Sequence, residues 1–349
     1  MIGIELFSGA GGMSLGATMA GVNVKMAVEI DRSAAETFKA NHPEALVFAK
    51  DIRELDQIPL KQIDETKILF GGPPCQGFSR SNHRTRNADN DKNWLFEEFA
   101  RVTVLWSPDW IVLENVEGLI GTNNGFFFKT IVERFTDLGY TITHKVLNAF
   151  QYGVPQKRTR LFIVGSKHGV KFEFPEPYST PHLSVKDALE DLPDLCNGNK
   201  LDDLDYKAPA RSQYCKTLRG ALGSCSNHGV STNTPTVIER YQFIPQGGNW
   251  RNIPQQHMGT YKDVTRCHTG IYHRLDFNKP SVVIGNFRKN MLIHPTQDRG
   301  LSVREAARLQ SFPDWFCFKG TLNEQQQQVG NAVPPFLAKA IFEKISTYQ

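Results

Sequence analysis

The stretch Gly71-Gly72-Pro73-Pro74-Cys75-Gln76-Gly77-Phe78-Ser79 decides how the rest of this chain is read. It follows a short apolar run, Ile68-Leu69-Phe70, that reads as a buried strand. Two glycines and two prolines then stop regular structure, and Pro74 brings a fixed φ and no N–H. A cysteine so placed is held on a stiff loop at a strand end, which is where an α/β sheet puts its chemistry. A buried structural thiol is the plainer alternative for a lone Cys; the glycine–proline frame and the flanking segments favour a functional one.

Upstream, Ile2 to Phe7 reads as a first buried strand, and Ser8-Gly9-Ala10-Gly11-Gly12 leads into a helical pattern ending at Gly21. Strand, glycine turn, helix is a nucleotide cradle, in which backbone N–H groups approach a ligand at the helix start. Val22 to Ile30 reads as a second strand carrying Glu29, an acid about twenty residues past the turn, the spacing of a ribose ligand. Many glycine turns are purely structural, but turn and acid together point to an adenosine-type cofactor. Ser33 to Asn41 looks helical, and Ala45 to Ala49 is a third strand that ends at Asp51-Ile52. Asp51 suits either an adenine amino group, with Ile52 on the ring, or a helix N-cap.

Downstream, residues 79–93 are polar and too long for a passive connection, so a lid or substrate loop is expected, with a solvated loop as its alternative. Trp94 to Trp106 has helical spacing. Trp110 to Leu113 is a fifth strand ending in Glu114, a carboxylate that is costly at a sheet edge unless paired or functional. Phe126 to Leu138 reads as a helix, and Tyr140 to Leu147 and Arg160 to Val164 as a closing pair of strands. Lys157-Arg158-Thr159-Arg160 between them puts three cations in four residues. From about 170 to 290 the chain is rich in Pro, Gly, Asn and Ser, with aromatic and basic residues interleaved, as at Trp250-Arg251 and Tyr272-His273-Arg274. That composition suits a loop-rich second domain facing a polyanion. Ser302 to Gln310 is a short helix, and 328–335 is expected to open a last helix, Phe336 to Ile345.

The 349 residues are 40% hydrophobic with a net charge of +4, enough for a core and a smaller second domain. So small a charge does not by itself argue for nucleic acid. The six cysteines form no C-x-x-C pair and no metal-like spacing with His, so no metal is expected and the thiols read as reduced. Met1 runs straight into a strand-like segment and no apolar run nears transmembrane length, so neither a signal peptide nor a membrane partner is expected.

Taken in order, these blocks resemble the DNA (cytosine-5) methyltransferases of bacterial restriction-modification type. The matching blocks are 7–12, Glu29, Asp51-Ile52, Pro73-Pro74-Cys75-Gln76, Glu114-Asn115-Val116, 156–160, 299–313 and Gly330-Asn331. The resemblance implies an α/β fold: a Rossmann-like S-adenosylmethionine-dependent domain (1–180), a smaller loop-rich target-recognition domain (181–320) and a C-terminal segment returning to the first (321–349). It implies S-adenosylmethionine as cofactor. Phe7, Gly9, Ala10, Gly11 and Gly12 would hold its methionine part, Glu29 the ribose, and Asp51 and Ile52 the adenine, with Ile30 a further cofactor-binding residue. Pro74, Leu95, Asn331 and Val333 match further cofactor positions. Lys92-Asn93 stands where the family's loop often carries Arg-Asn or Arg-Gly, which leaves loop contacts to DNA open.

The implied catalytic set is Cys75, Glu114, Arg158 and Arg160. The Cys75 thiolate would add to C6 of cytosine. Glu114 would be protonated or share a proton with N3, and Arg160 would hold O2 with Arg158 nearby. The target base would be flipped from duplex DNA. Double-stranded DNA is the implied partner, beside a cognate restriction endonuclease or defence-system protein; a monomer in the cytoplasm, nucleoid-associated through DNA, is expected. A tRNA-directed enzyme on this scaffold, a non-catalytic DNA-binding protein and a nicotinamide oxidoreductase are the rivals. The 170–290 insert counts against the first, the catalytic set against the second, and the lack of G-x-G-x-x-G against the third.

Overall fold

A computed structural model describes residues 1–60, 64–74, 94–179, 182–259, 270–285, 287–289 and 291–348. Cys75 and the whole of 79–93 lie outside the described residues. The chain divides into two units: 1–152 with 159–178 and 335–349, and 153–158 with 179–334.

The first unit is an α/β sheet. Its strands are β1 (Ile2–Leu6), β2 (Asn23–Val28), β3 (Leu46–Phe48), β4 (Lys67–Gly71), β5 (Trp110–Asn115), β6 (Thr141–Asn148) and β7 (Thr159–Ser166). Their order across the sheet is β3-β2-β1-β4-β5-β7-β6. β1 to β5 pair in parallel and β7 runs antiparallel to β5 and β6. All five β1 residues and four of five in β4 are buried, as strands covered on both faces must be.

Helices α1 (Gly12–Met19), α2 (Arg32–Asn41), α3 (Leu95–Trp106) and α4 (Phe126–Asp137) cover the sheet. α2 starts where the Asp31 side chain accepts from the Ala34 N–H. α3 places Glu97 and Glu98 in its first turn, favourable to the helix dipole. α4 buries Phe127, Ile131 and Phe135, one stripe at four-residue spacing. β5 is longer than its apolar run: Glu114 and Asn115 remain in the strand because β7 pairs with them, Glu114 opposite Phe162 and Asn115 opposite Leu161.

The second unit has helices α5 (Val185–Leu189), α6 (Gln213–Arg219), α7 (Pro235–Gln242), α8 (Val303–Leu309) and α9 (Leu322–Asn331). The 170–290 stretch therefore holds short helices where little periodicity was expected. Of residues 328–335, Gln328 to Asn331 finish α9, and α10 (Pro335–Ser346) opens on Pro335. A proline suits a first helical position, where no N–H is needed. α10 packs in the first unit, with Phe342 edge-on to Phe70 at 4.9 Å. Among the described residues, no helix is long and apolar enough to cross a membrane.

Candidate active site

The strand order reverses about β1, which has β2 on one side and β4 on the other. In such sheets the crevice beyond the carboxyl ends at the reversal is the ligand site. Three strand ends are in register there: Leu6 of β1 pairs with Gly71 of β4, and Gly71 with Leu113 of β5. One residue further on stand Phe7, Gly72 and Glu114, so the sheet brings the glycine turn, the start of the cysteine loop and the acid to one edge.

The loop is fitted to that edge at close quarters. A Cβ on Gly71 would lie 1.9 Å from the Leu6 carbonyl oxygen, and one on Gly72 would lie 2.8 Å from Glu114 Oε2. Glycine is what lets the acid rest against this backbone. Asn115 Nδ2 donates to the Pro73 carbonyl at 3.2 Å, tying loop to strand. Its side chain is buried, and a role for it was not read from the sequence; its place beside Glu114 was the available signal. Pro74, half-buried, is the last described residue before the cysteine.

Glu114 and Arg160 meet. Arg160 Nε lies 2.7 Å from Glu114 Oε1, each about an eighth exposed at 13% and 12%. The β5–β7 register explains the pairing: Glu114 sits opposite Phe162, and residue 160, two positions away, shares that face. Arg160 Nη1 also donates to the Thr159 carbonyl at 2.8 Å.

Arg158 departs from the expectation that it stands beside Arg160 at the reacting charge. It is fully buried. Its Nη1 donates to the Ile284 carbonyl at 3.0 Å, and its Nη2 to the carbonyls of Gly330 at 3.0 Å and Ala332 at 2.9 Å. A planar five-donor fork suits such carbonyl clusters, and α9 ends there with carbonyls its own helix cannot satisfy. In the described geometry Arg158 is a clamp of the second unit. Gln156, also buried, joins it by accepting from the Ile284 N–H and donating to the Leu309 carbonyl.

The cofactor candidates of the first unit gather at the same edge. Phe7 leaves β1 with φ 56 and Gly9 follows at φ 53. Glu29 Oε2 accepts from the Gly9 N–H at 2.6 Å and Oε1 from the Asp31 N–H at 2.8 Å. Burial pushes the Glu29 carboxyl up, against those amide bonds. Ile30 is 68% exposed, unusual for so large an apolar side chain. Asp51 acts as an N-cap, here of the 3-10 turn Ile52–Glu54. Arg53 holds its carboxyl below the usual range through side-chain and backbone hydrogen bonds. Ile52 is buried, and Arg101 of α3 donates to its carbonyl at 2.8 Å. Leu95 begins α3. Asn331 ends α9 and Val333 is buried, both in the second unit.

Glu5 was missed as a member of this edge. Buried in β1, it accepts from the Ser14 hydroxyl and from the Ser14 N–H at 3.1 Å, and burial pushes its carboxyl up to about 8. It ties the strand before the glycine turn to the helix after it. A cavity of about 550 Å³ lined by Lys145, Glu173, Tyr178 and Lys344 lies off the edge strand β6 and includes none of these residues.

A parallel sheet with an antiparallel β6–β7 closure, a glycine turn after β1 and an acid–arginine pair at the crevice define a Rossmann-like methyltransferase fold. Residues 1–347 match the family model for C-5 cytosine-specific DNA methylase, and the chain belongs to that family. It is 41% identical over 347 residues to the Type II methyltransferase M1.HphI of Haemophilus parahaemolyticus, covering 98% of this chain and 86% of that one. It is 34% identical to M.DdeI of Desulfomicrobium norvegicum, covering 99% and 88%. Among solved structures, a prophage-encoded DNA modification methyltransferase candidate from E. coli superposes with a TM-score of 0.79 at 28% identity over 99% of both chains. The chain is a DNA (cytosine-5-)-methyltransferase.

Proposed function

We propose that this enzyme methylates C5 of a cytosine flipped out of a specific duplex DNA sequence, through a covalent bond between Cys75 and C6, with S-adenosylmethionine as donor. The observation that carries the proposal is the Glu114–Arg160 pair, set against Gly72 at the start of the cysteine loop.

C5 of cytosine is a poor nucleophile. Addition of the Cys75 thiolate to C6 makes C5 enamine-like and builds negative charge on the ring. Glu114, protonated or sharing a proton with N3, and Arg160, through O2, would stabilise that charge, and the 2.7 Å contact between them holds the two groups side by side. Once C5 carries the methyl group, loss of its proton to a base and departure of the thiolate restore the aromatic ring. C6 is shielded in a stacked duplex, so the nucleotide must leave the helix first.

The cradle fits the cofactor. Among the described residues nothing lies within 4 Å of where a Cβ would stand on Gly9, so a ligand has room against the turn. Glu29 offers a carboxylate beside it and Ile30 an exposed apolar surface. When bound, S-adenosylmethionine supplies the methyl group as an activated sulfonium. Phe7 and the Gly9-Ala10-Gly11-Gly12 turn would hold its amino-acid end, Glu29 with Ile30 its ribose, and Asp51 and Ile52 its adenine. Pro74, Leu95, Asn331 and Val333 are assigned as further contacts by the resemblance alone. Arg158 is reassigned from the reacting charge to a structural clamp. The second unit would read the target sequence, and the enzyme would act in the cytoplasm.

The test is a duplex carrying 5-fluorocytosine at the target, which blocks proton loss after methyl transfer. With S-adenosylmethionine, mass spectrometry should find a covalent adduct on the peptide containing Cys75, and Cys75→Ser should give none while still binding cofactor. An active Cys75→Ser enzyme removes the thiol from the mechanism.

A further inference from the structure

We propose that His42 is a positioning residue of the cofactor cradle: its imidazole, stacked on Phe38 and packed with it against Gly11, fixes the glycine turn in the shape that receives the ligand. The inference rests on the reading of that turn as the S-adenosylmethionine site.

His42 closes α2, its backbone N–H bonding the Phe38 carbonyl at 2.9 Å. Its ring stacks on Phe38, centroids 4.5 Å apart and planes 30° off parallel, and both residues are buried. Gly11 lies against this stack. A Cβ there would stand 2.7 Å from Phe38 Cδ2 and 3.0 Å from His42 Nε2, at a φ of +89 that side chains avoid. Burial pushes the imidazole pKa down to about 4, so at neutral pH the ring packs against Gly11 without bringing charge to the cradle.

Gly11 is where turn becomes helix. Its N–H bonds the Ser8 carbonyl at 2.9 Å and its carbonyl accepts the Leu15 N–H at 2.8 Å. At the other end of the turn Glu29 holds the Gly9 N–H. Glu29 precedes α2 and His42 follows it, and Glu29 is tied to the helix start through the Asp31 N–H. One rigid helix thus carries both fixings of the turn, with buried Ala10 between them. Losing the rear fixing leaves the turn to be ordered by the ligand, which weakens binding without touching DNA or the reacting groups.

The variants are His42→Ala, which removes the ring beside Phe38 and Gly11, and His42→Phe, which keeps an aromatic ring there. Calorimetry should give an S-adenosylmethionine Kd about three- to tenfold higher for His42→Ala, the worth of losing a pre-ordered loop, and closer to wild type for His42→Phe. The DNA KM and kcat at saturating cofactor should match wild type in both variants. Hydrogen exchange of ligand-free His42→Ala should be faster at amides 9–12. An unchanged Kd in His42→Ala overturns the proposal, as does a rise in DNA KM equal to the rise in Kd. If wild type itself binds no S-adenosylmethionine, the cofactor reading is what fails; the packing of His42 on the turn is then judged by exchange alone, and unchanged exchange at 9–12 overturns it.

Discussion

Gly72 shows how narrow the tolerance at the active edge is. A methyl group there would stand 2.8 Å from Glu114 Oε2, too close for any real carbon, so the carboxylate would have to move. Gly72→Ala should therefore lower single-turnover methylation on the order of 10²-fold, the scale of a displacement of about 1 Å in a positioned group. The melting temperature should stay near wild type, because the site is a loop at the sheet edge; full activity in Gly72→Ala would mean that Glu114 is not held where the chemistry needs it. The two arginines of the basic loop separate by the same logic. Arg160 pairs with a carboxylate at the edge, whereas Arg158 serves three backbone carbonyls inside the second unit. Arg158→Ala strands those carbonyls at about 1–3 kcal/mol each and should appear in denaturant unfolding as lost stability. Arg160→Ala should appear mainly in rate. The opposite assignment, Arg158→Ala stable but slow, would return Arg158 to the reacting charge.

At the scale of elements, α8 carries the charges that the second unit buries. Arg299 grips Glu305 at 2.8 and 2.6 Å, and Arg308 bonds Asp314 at 2.6 Å, all nearly or wholly without exposure. Burial alone would raise the Glu305 carboxyl. The Arg299 charge and the neighbouring hydrogen bonds outweigh it and hold the group down to about 2. A carboxyl lower in the folded than the unfolded state adds stability above pH about 4.5, and that stability is lost as pH falls from there to about 2. Unfolding free energy should drop across that window by up to about 1.4 kcal/mol per pH unit from this group, and Glu305→Gln should flatten that part of the profile while lowering stability at pH 7. An unaltered acid slope in Glu305→Gln would place the titration elsewhere. Such charges explain what the sequence concealed. The sheet was legible because apolar runs and glycine turns are local signals, and so was the place of Glu114 at the carboxyl edge, because it directly follows the apolar run of β5. The burial of Arg158 was not: cations of a basic loop usually face solvent, and backbone at 284 and 330–332, distant in sequence, accepts from this one. α9 was missed because its middle is four glutamines, Gln325 to Gln328, and its capping box, Thr321 with Glu324, was the one local clue.

For the whole molecule, the cofactor assignment has a thermodynamic consequence independent of turnover. A ligand that binds only the folded state stabilises it by RT ln(1 + [L]/Kd), about 2.7 kcal/mol at a hundredfold excess over Kd. Most of the proposed contacts belong to the first unit, with Glu29 the carboxylate at their centre. The melting temperature of the full chain should therefore rise with the logarithm of S-adenosylmethionine concentration, in the absence of DNA. Cys75→Ser should shift as wild type does, because the thiol is assigned to the cytosine and not to the cofactor. Glu29→Ala should shift less at every concentration, having lost both the ribose ligand and the anchor of the Gly9 amide. Comparing the two variants isolates binding from chemistry in one measurement. An undiminished shift in Glu29→Ala would remove the ribose from that carboxylate, and a diminished one in Cys75→Ser would mean that the cysteine loop helps to hold the donor as well as to attack the base.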